Sequence, residues 1–356
     1  MNPLITRTLR TIADLVGAGL VAPELEVLLS VVTERYAVAV PPVFAGLIDP
    51  TDPTDPIARQ FIPDLAELRQ AADEMADPIG DGVHAPVYGI VHRYPDRVLL
   101  TPTFACSVYC RFCFRRERVG LAGNSLDASE LELALSYIRS HPEIWEVILT
   151  GGDPLVLAPR RLALILAALD AMPQLGVLRI HTRVPLAAPE LVDAALLVAL
   201  RVEKSLFVAV HANHPSEFTP AACAALRRLI DAGIPLLGQT VLLAGVNDDT
   251  AVLESLFRRF VENRIKPYYL HHLDPAPGTE RFRVPIARGQ ELMRGLHGRV
   301  SGLCRPGYVL DIPGGFGKSS IAMPDISADG GTISDWQGGC HPGYGTIGCT
   351  DKMKPV

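Results

Sequence analysis

From residue 97 onward the chain settles into a rhythm that few architectures accommodate. Apolar, β-branched runs recur at RVLLTPT (97–103), WEVILTG (145–151), VLRIHTRV (177–184), LFVAVHA (206–212), LLGQTVLLA (236–244) and YYLHHL (268–273). Segments with helical spacing alternate with them at 127–140, 159–171, 189–200, 219–232, 248–263 and 286–299. Pro159, Pro189 and Pro220 stand where the first turn of a helix tolerates proline, and Gly233 stands where a helix stops. Six strand–helix units in a row imply right-handed parallel crossovers. The fold class is therefore α/β, as an open doubly wound sheet or a complete or partial barrel. In each case ligands meet the carboxyl ends of the strands. Those ends carry Cys106, then Gly151-Gly152-Asp153, His181 with Arg183, His211 and Asp274.

Composition excludes several other classes. Hydrophobic residues make up 48% and charged residues 20% of 356, enough for a substantial buried core. A formal charge of −6 argues against a nucleic-acid surface. The apolar runs at 162–169 and 194–200 fall well short of the roughly 20 residues a spanning helix needs, so no membrane insertion is expected. The first twenty residues lack a clean apolar core followed by a small-residue cleavage site, and a cytoplasmic location is expected. Residues 1–96 mix helix-like stretches (22–34, 64–76) with the Pro- and Asp-rich DPTDPTDP (49–56). They are expected to form a helical and irregular region packed on a barrel spanning 97–300. Beyond about 321 the pattern stops, and 324–356 is expected to be an irregular tail.

Seven cysteines are present, and three of them, Cys106, Cys110 and Cys113, fall within eight residues. An odd number clustered in this way suits a metal site better than a disulfide framework. A [4Fe–4S] cube normally takes four thiolates, so three would leave one iron open to a further ligand. A zinc site completed by a distant Cys or His is the competing reading, and would give a zinc-stabilised barrel without radical chemistry. The spacing C-x3-C-x2-C, with Phe112 before the last cysteine, resembles the cluster loop of the radical S-adenosylmethionine (SAM) enzymes. Gly151-Gly152-Asp153-Pro154 resembles the glycine motif that contacts SAM in that superfamily.

The stretch IPGGFGKSS (312–320) ends like a nucleotide-binding P-loop, but Ile312 stands where that motif requires glycine and Pro324 soon follows. A different resemblance accounts for it. From about residue 40 to about 323 the chain is similar to the lysine 2,3-aminomutases, through DPTDPIARQFIP, HRYPDRVLL, CSVYCRFCFRR, TGGDPL, HANHP, GVND, PYYLHHLD and DIPGGFGK. The resemblance implies a partial (βα)6 barrel, a [4Fe–4S] cluster, SAM and pyridoxal 5′-phosphate (PLP). The implied reaction is the exchange of an α-amino group with a β-hydrogen, converting L-lysine to β-lysine. Lys318, in a PLP-lysine segment at 301–323, matches the lysine that holds PLP as an internal aldimine, its flanking glycines leaving space for the ring. Arg93, Tyr94 and Arg97 match the PLP-phosphate contacts. Gly151, Gly152, Asp153, His211 and Gln239 match the SAM pocket, Arg115 matches the substrate-carboxylate arginine, and Asp274 with Asp311 matches the pair that grips the ε-ammonium.

Where a structural zinc cysteine is expected after GVND, Asp249 stands, and the tail offers Cys340, His341 and Cys349 at a different spacing. The resemblance leaves arginine open as an alternative substrate, and β-lysine supply for elongation factor P modification open as a role. It further implies a small-molecule amino acid substrate, a reducing partner such as flavodoxin or ferredoxin, and a homo-oligomer.

Overall fold

The computed structural model describes residues 5–120 and 125–322, together with two short strands at Thr332–Ser334 and Cys340–Pro342. Its main sheet has nine strands in sequential order. They are β1 (Ile90–Tyr94), β2 (Arg97–Thr103), β3 (Glu146–Gly151), β4 (Val177–Thr182), β5 (Ser205–His211), β6 (Leu236–Val241), β7 (Ile265–His271), β8 (Gly307–Ile312) and β9 (Gly317–Ser320). Neighbours from β2 to β8 pair in parallel, and an antiparallel hairpin closes each end, β1 on β2 and β9 on β8. The architecture is a partial TIM-type barrel. The two end hairpins face each other, and Lys318 N donates to Tyr94 Oη at 2.7 Å.

Helices form where the sequence supplies both a cap and an apolar stripe. Asp127 and Glu130 make a capping box for Ala128–Arg139, Thr219 caps Pro220–Asp231, and Asp249 caps Thr250–Glu262. Pro159 opens Pro159–Asp170. Their buried faces (Leu162, Ile165 and Leu169; Leu226 and Leu229; Leu253, Phe257 and Phe260) pack into one core with the outward strand residues Val147, Leu149, Leu178, Ile180, Val208 and Val210. Because strand side chains alternate, the inward positions are free to be polar. Arg179 and His181 on β4, His211 on β5, Gln239 on β6, and Tyr269 and His271 on β7 all line the interior.

Three elements depart from expectation. The stretch 189–200 is broken into a turn at Pro189–Leu191 and a short helix at Ala194–Ala199, because Asp193 caps Leu196 N and restarts the chain. The stretch 64–76 is helical only at Leu65–Leu68, where Leu65 and Leu68 are exposed and Glu67 is drawn inward by arginines. The sheet also begins at Ile90 and runs to Ser320, so the expected boundary at 97 falls inside a hairpin, and the segment 301–323 expected to carry the PLP lysine contributes two strands to the sheet. In the tail, Thr332–Ser334 pairs antiparallel with Cys340–Pro342. The side chains of Cys340 and His341, and all of Cys349, lie outside the described residues.

Candidate active site

The loop after β2 carries Cys106, Cys110 and Cys113, and neighbouring segments hold it by backbone bonds. Gly152 N donates to Thr103 O and Asp153 N to Ala105 O, both at 2.8 Å, while Tyr109 N reaches Ala39 O at 3.0 Å and Arg111 N reaches Gln60 O at 2.8 Å. A Cβ on Gly151 would stand 2.0 Å from Thr101 Cγ2, and one on Gly152 would stand 2.2 Å from Ala105 O. The paired glycines are thus required where β3 crosses the root of the cysteine loop. Asp153 lines the same space, but Thr182 Oγ1, Leu155 N, Arg183 N and Val184 N already occupy its carboxylate. It braces the end of β3 against the end of β4.

Beneath the loop lies a charge cluster. Glu67, 1% exposed, accepts from Arg111 Nε at 3.0 Å and forms ion pairs with Arg111 Nη2 at 2.5 Å and with Arg116. These arginines flank Cys113, so one carboxylate of the N-terminal region fixes both sides of the cysteine loop. Nothing in the spacing around Glu67 pointed to that role.

The three cysteines line a cavity of about 670 Å³ inside the barrel, and every other site residue expected from the sequence lines it too. Burial raises all three thiols, Cys113 to about 11, with Cys110 adding to the effect at Cys113. Thiolates here need cationic partners. Among the described residues no group of three or more His, Cys, Asp or Glu side chains is arranged to hold one metal ion. Three thiols on one loop, lining a shared cavity, fit a multi-iron cluster with one iron left open. His211 stands edge-on to Phe112 with ring centroids 5.9 Å apart, and Gln239 pairs with it in register on the next strand.

Lys318 lies on β9 directly opposite Asp311 on β8, and its Nζ forms an ion pair with that carboxylate. The surrounding glycines serve more than the space for a ring expected from the sequence. Gly315 and Gly317 have φ of +93° and +91°, and a Cβ on Gly317 would stand 2.7 Å from Tyr94 Oη. A Cβ on Gly80 would stand 2.6 Å from Gly315 Cα, and His84 Nε2 bonds Gly315 O at 2.9 Å. The hairpin therefore docks tightly on the segment around residues 78–84.

The expected phosphate contacts are placed unequally. Arg93 lies deep in the site, 3.4 Å from Asp311 and 3.6 Å from Asp81, and its buried Nε has no hydrogen-bond partner, so an anion would find a donor there. Arg97 stacks on the Tyr94 ring at 3.9 Å but turns its guanidinium to Asp96 at 2.6 Å. Arg115 is held by Asp81 through Nε at 2.8 Å and Nη2 at 2.7 Å. No sequence motif singled out Asp81, yet it links the arginines matched to phosphate and to substrate carboxylate. Asp274 is accessible from the cavity yet remote from bulk water; burial, then the nearby Asp311, pushes its carboxyl up to about 7, while Lys318 opposes the rise. On β4 and β7, burial depresses His181 and His271, the latter to about 3, and His181 Nε2 has no partner.

Comparison with known proteins places this constellation. Residues 100–255 match the Radical SAM superfamily. L-lysine 2,3-aminomutase of Clostridium subterminale is 41% identical over 81% of this chain and 69% of its own length. The chain belongs to the lysine 2,3-aminomutase family. The Bacillus subtilis L-lysine 2,3-aminomutase is 35% identical over 89% of this chain and 67% of its own length. A glutamate 2,3-aminomutase of Clostridioides difficile is 33% identical over 85% and 72%. As a radical SAM member of the lysine 2,3-aminomutase family, the protein is an isomerase that works with a [4Fe–4S] cluster, SAM and PLP. No helix among the described residues is long and apolar enough to cross a membrane.

Proposed function

We propose that the chain interconverts L-lysine and β-lysine by moving the amino group from Cα to Cβ. The observation that carries this reading is the acid pair Asp274 and Asp311, set in the same cavity as Lys318 and the cysteine triplet. Two carboxylates so close in a desolvated wall are unstable together unless a cation joins them. In the resting chain the ammonium of Lys318 serves, beside the guanidinium of Arg93 at 3.4 Å from Asp311. When Lys318 is committed to holding PLP, Asp311 loses this partner, and the ε-ammonium of a lysine substrate is the natural replacement. A second carboxylate, as in glutamate, would be repelled.

The remaining assignments follow from position. Cys106, Cys110 and Cys113 would hold the cluster; Gly151, Gly152, His211 and Gln239 would border SAM, with Asp153 bracing the strand end; and Lys318 would hold PLP, with Arg93, Tyr94 and Arg97 toward its phosphate. Once bound, these groups supply a 5′-deoxyadenosyl radical for hydrogen transfer at Cβ and an aromatic ring that delocalises the unpaired electron. Arg115 has a planar fork suited to the substrate carboxylate, and Asp81 fixes its orientation from behind. The barrel wall excludes water from a reaction in which hydrogen and nitrogen exchange places with no net oxidation.

The cluster needs an external electron, which we assign to a low-potential donor of the flavodoxin or ferredoxin type. Exposed Val27, Leu28 and Val31 on the helix Glu26–Arg35 support a homo-oligomer, and the absence of a spanning helix among the described residues is in keeping with a cytoplasmic enzyme. The decisive assay incubates anaerobically reconstituted protein with L-lysine, L-arginine and L-glutamate in parallel, followed by chiral separation of the β-amino acids. Conversion of lysine well above the other two is expected; preferred conversion of either competitor would refute the assignment.

A further inference from the structure

On the cysteine side of the cavity, one contact has no part in the steps above. Arg183, just beyond β4, is only 5% exposed. Nη2 donates to Gln60 Oε1 at 2.9 Å and to Glu217 Oε2 at 2.7 Å, while Nη1 donates to Cys110 Sγ at 3.0 Å. Glu217 is completely buried and is itself held by Asn213 N and His214 N, each at 2.9 Å. Three rings, Phe61, Phe44 and Phe112, surround the guanidinium with centroids 4.9, 5.4 and 5.8 Å from its central carbon. The cation cannot turn elsewhere. A neutral thiol is a weak acceptor, and spending one of a buried guanidinium's donors on it brings little unless the sulfur carries negative charge.

We propose that Arg183 is a positioning residue that sets the reduction potential of the iron–sulfur cluster by holding a charge-assisted N–H against the sulfur of Cys110. The proposal builds on the cluster assignment and goes beyond it. Reduction adds one electron from a low-potential one-electron donor and neither makes nor breaks a bond, leaving the cluster one charge more negative. An N–H and a positive charge fixed at a ligand sulfur stabilise that reduced form, so the potential rises. Glu217 offsets part of the charge. The reduced cluster must remain a strong reductant, and a cation half-neutralised by a buried carboxylate gives an intermediate setting.

The test uses the full chain with its cluster reconstituted anaerobically, titrated with a low-potential one-electron reductant while the reduced cluster is followed by electron paramagnetic resonance. Arg183→Gln should lower the midpoint, by about tenfold in the one-electron equilibrium constant, or about 59 mV. Glu217→Gln leaves the cation uncompensated and should move the midpoint the opposite way. Opposed shifts at full iron content support the proposal, since a purely structural network gives no such pair of signs. Unmoved or same-sign midpoints overturn it. Loss of iron from both variants also overturns it, because the contact would then build the site and not tune it. A wild-type chain that assembles no cluster would defeat the cofactor assignment as well, whereas an assembled cluster with unmoved potential defeats the proposal alone.

Discussion

Asp274→Asn gives the sharpest test of the substrate reading, because the structure predicts both a size and a pH signature. The Asp274 carboxyl lies at about 7 in place of an ordinary 3.8. At 1.36 kcal/mol per factor of ten, that climb reflects about 4 kcal/mol of unfavourable environment for the anion. An incoming ammonium relieves it, and removing one member of a buried charge pair costs about 2–5 kcal/mol. The variant should therefore lose at least about 30-fold in kcat/KM for lysine at pH 8.5. The sign follows from which form binds. Above about 7 Asp274 is charged and attracts the ammonium; below it the wild type is already neutral and resembles the variant. About a tenth of the carboxyl is ionised at pH 6, so the advantage of wild type over variant should shrink about tenfold between pH 8.5 and 6. The assay measures kcat/KM for both proteins across that range, where pH effects common to both cancel in the ratio. The same raised carboxyl lowers stability as pH rises from about 4 through 7, because the folded state there binds more protons than the unfolded chain. A ratio that stays constant with pH would show that Asp274 acts by packing alone and would refute the reasoning.

Two further predictions follow. Lys318→Ala should abolish turnover and the visible absorbance of bound PLP while leaving iron content unchanged, since Lys318 bonds to Tyr94 and Asp311 and not to the loop of Cys106, Cys110 and Cys113; iron loss in that variant would show the two halves of the site to be interdependent. Gly152→Ala should place a methyl group against Ala105 O, displace the root of the cysteine loop and reduce iron retained after reconstitution to a minor fraction, which a colorimetric iron assay measures directly.

The strands β2 to β7 were legible because their outward faces are aliphatic and recur at regular spacing, a pattern set by the core. The end hairpins were not. β1 is short and runs into the polar His92-Arg93-Tyr94, while β9 begins in glycines whose purpose is close approach to Tyr94 and Gly80. The residues proposed to carry cofactor and substrate chemistry stood out by type and motif: cysteines in a triplet, a lysine among glycines, an acid at a strand end. The residues that aim them did not. Glu67, Asp81 and Glu217 belong to segments that look like ordinary caps and turns, and only tertiary packing shows that their carboxylates are consumed by Arg111, Arg115 and Arg183. Arg183 itself was visible as a polar group at a strand end, but its target, a cysteine seventy-three positions earlier, was not.

The two end hairpins of the sheet face each other without a shared ladder. Where Tyr94 meets Lys318 and Arg93 meets Asp311, the wall is fastened by side chains and a single backbone N–H. A ladder must break several backbone bonds to open, whereas a seam of this kind yields to rotations about side-chain bonds. Lys318, the residue proposed to hold PLP, sits on the seam itself. Taking Lys318 Nζ from Asp311 would remove one side-chain fastening of this join, while the Lys318 N–H to Tyr94 and the packing of Gly315 on Gly80 keep the hairpin in place.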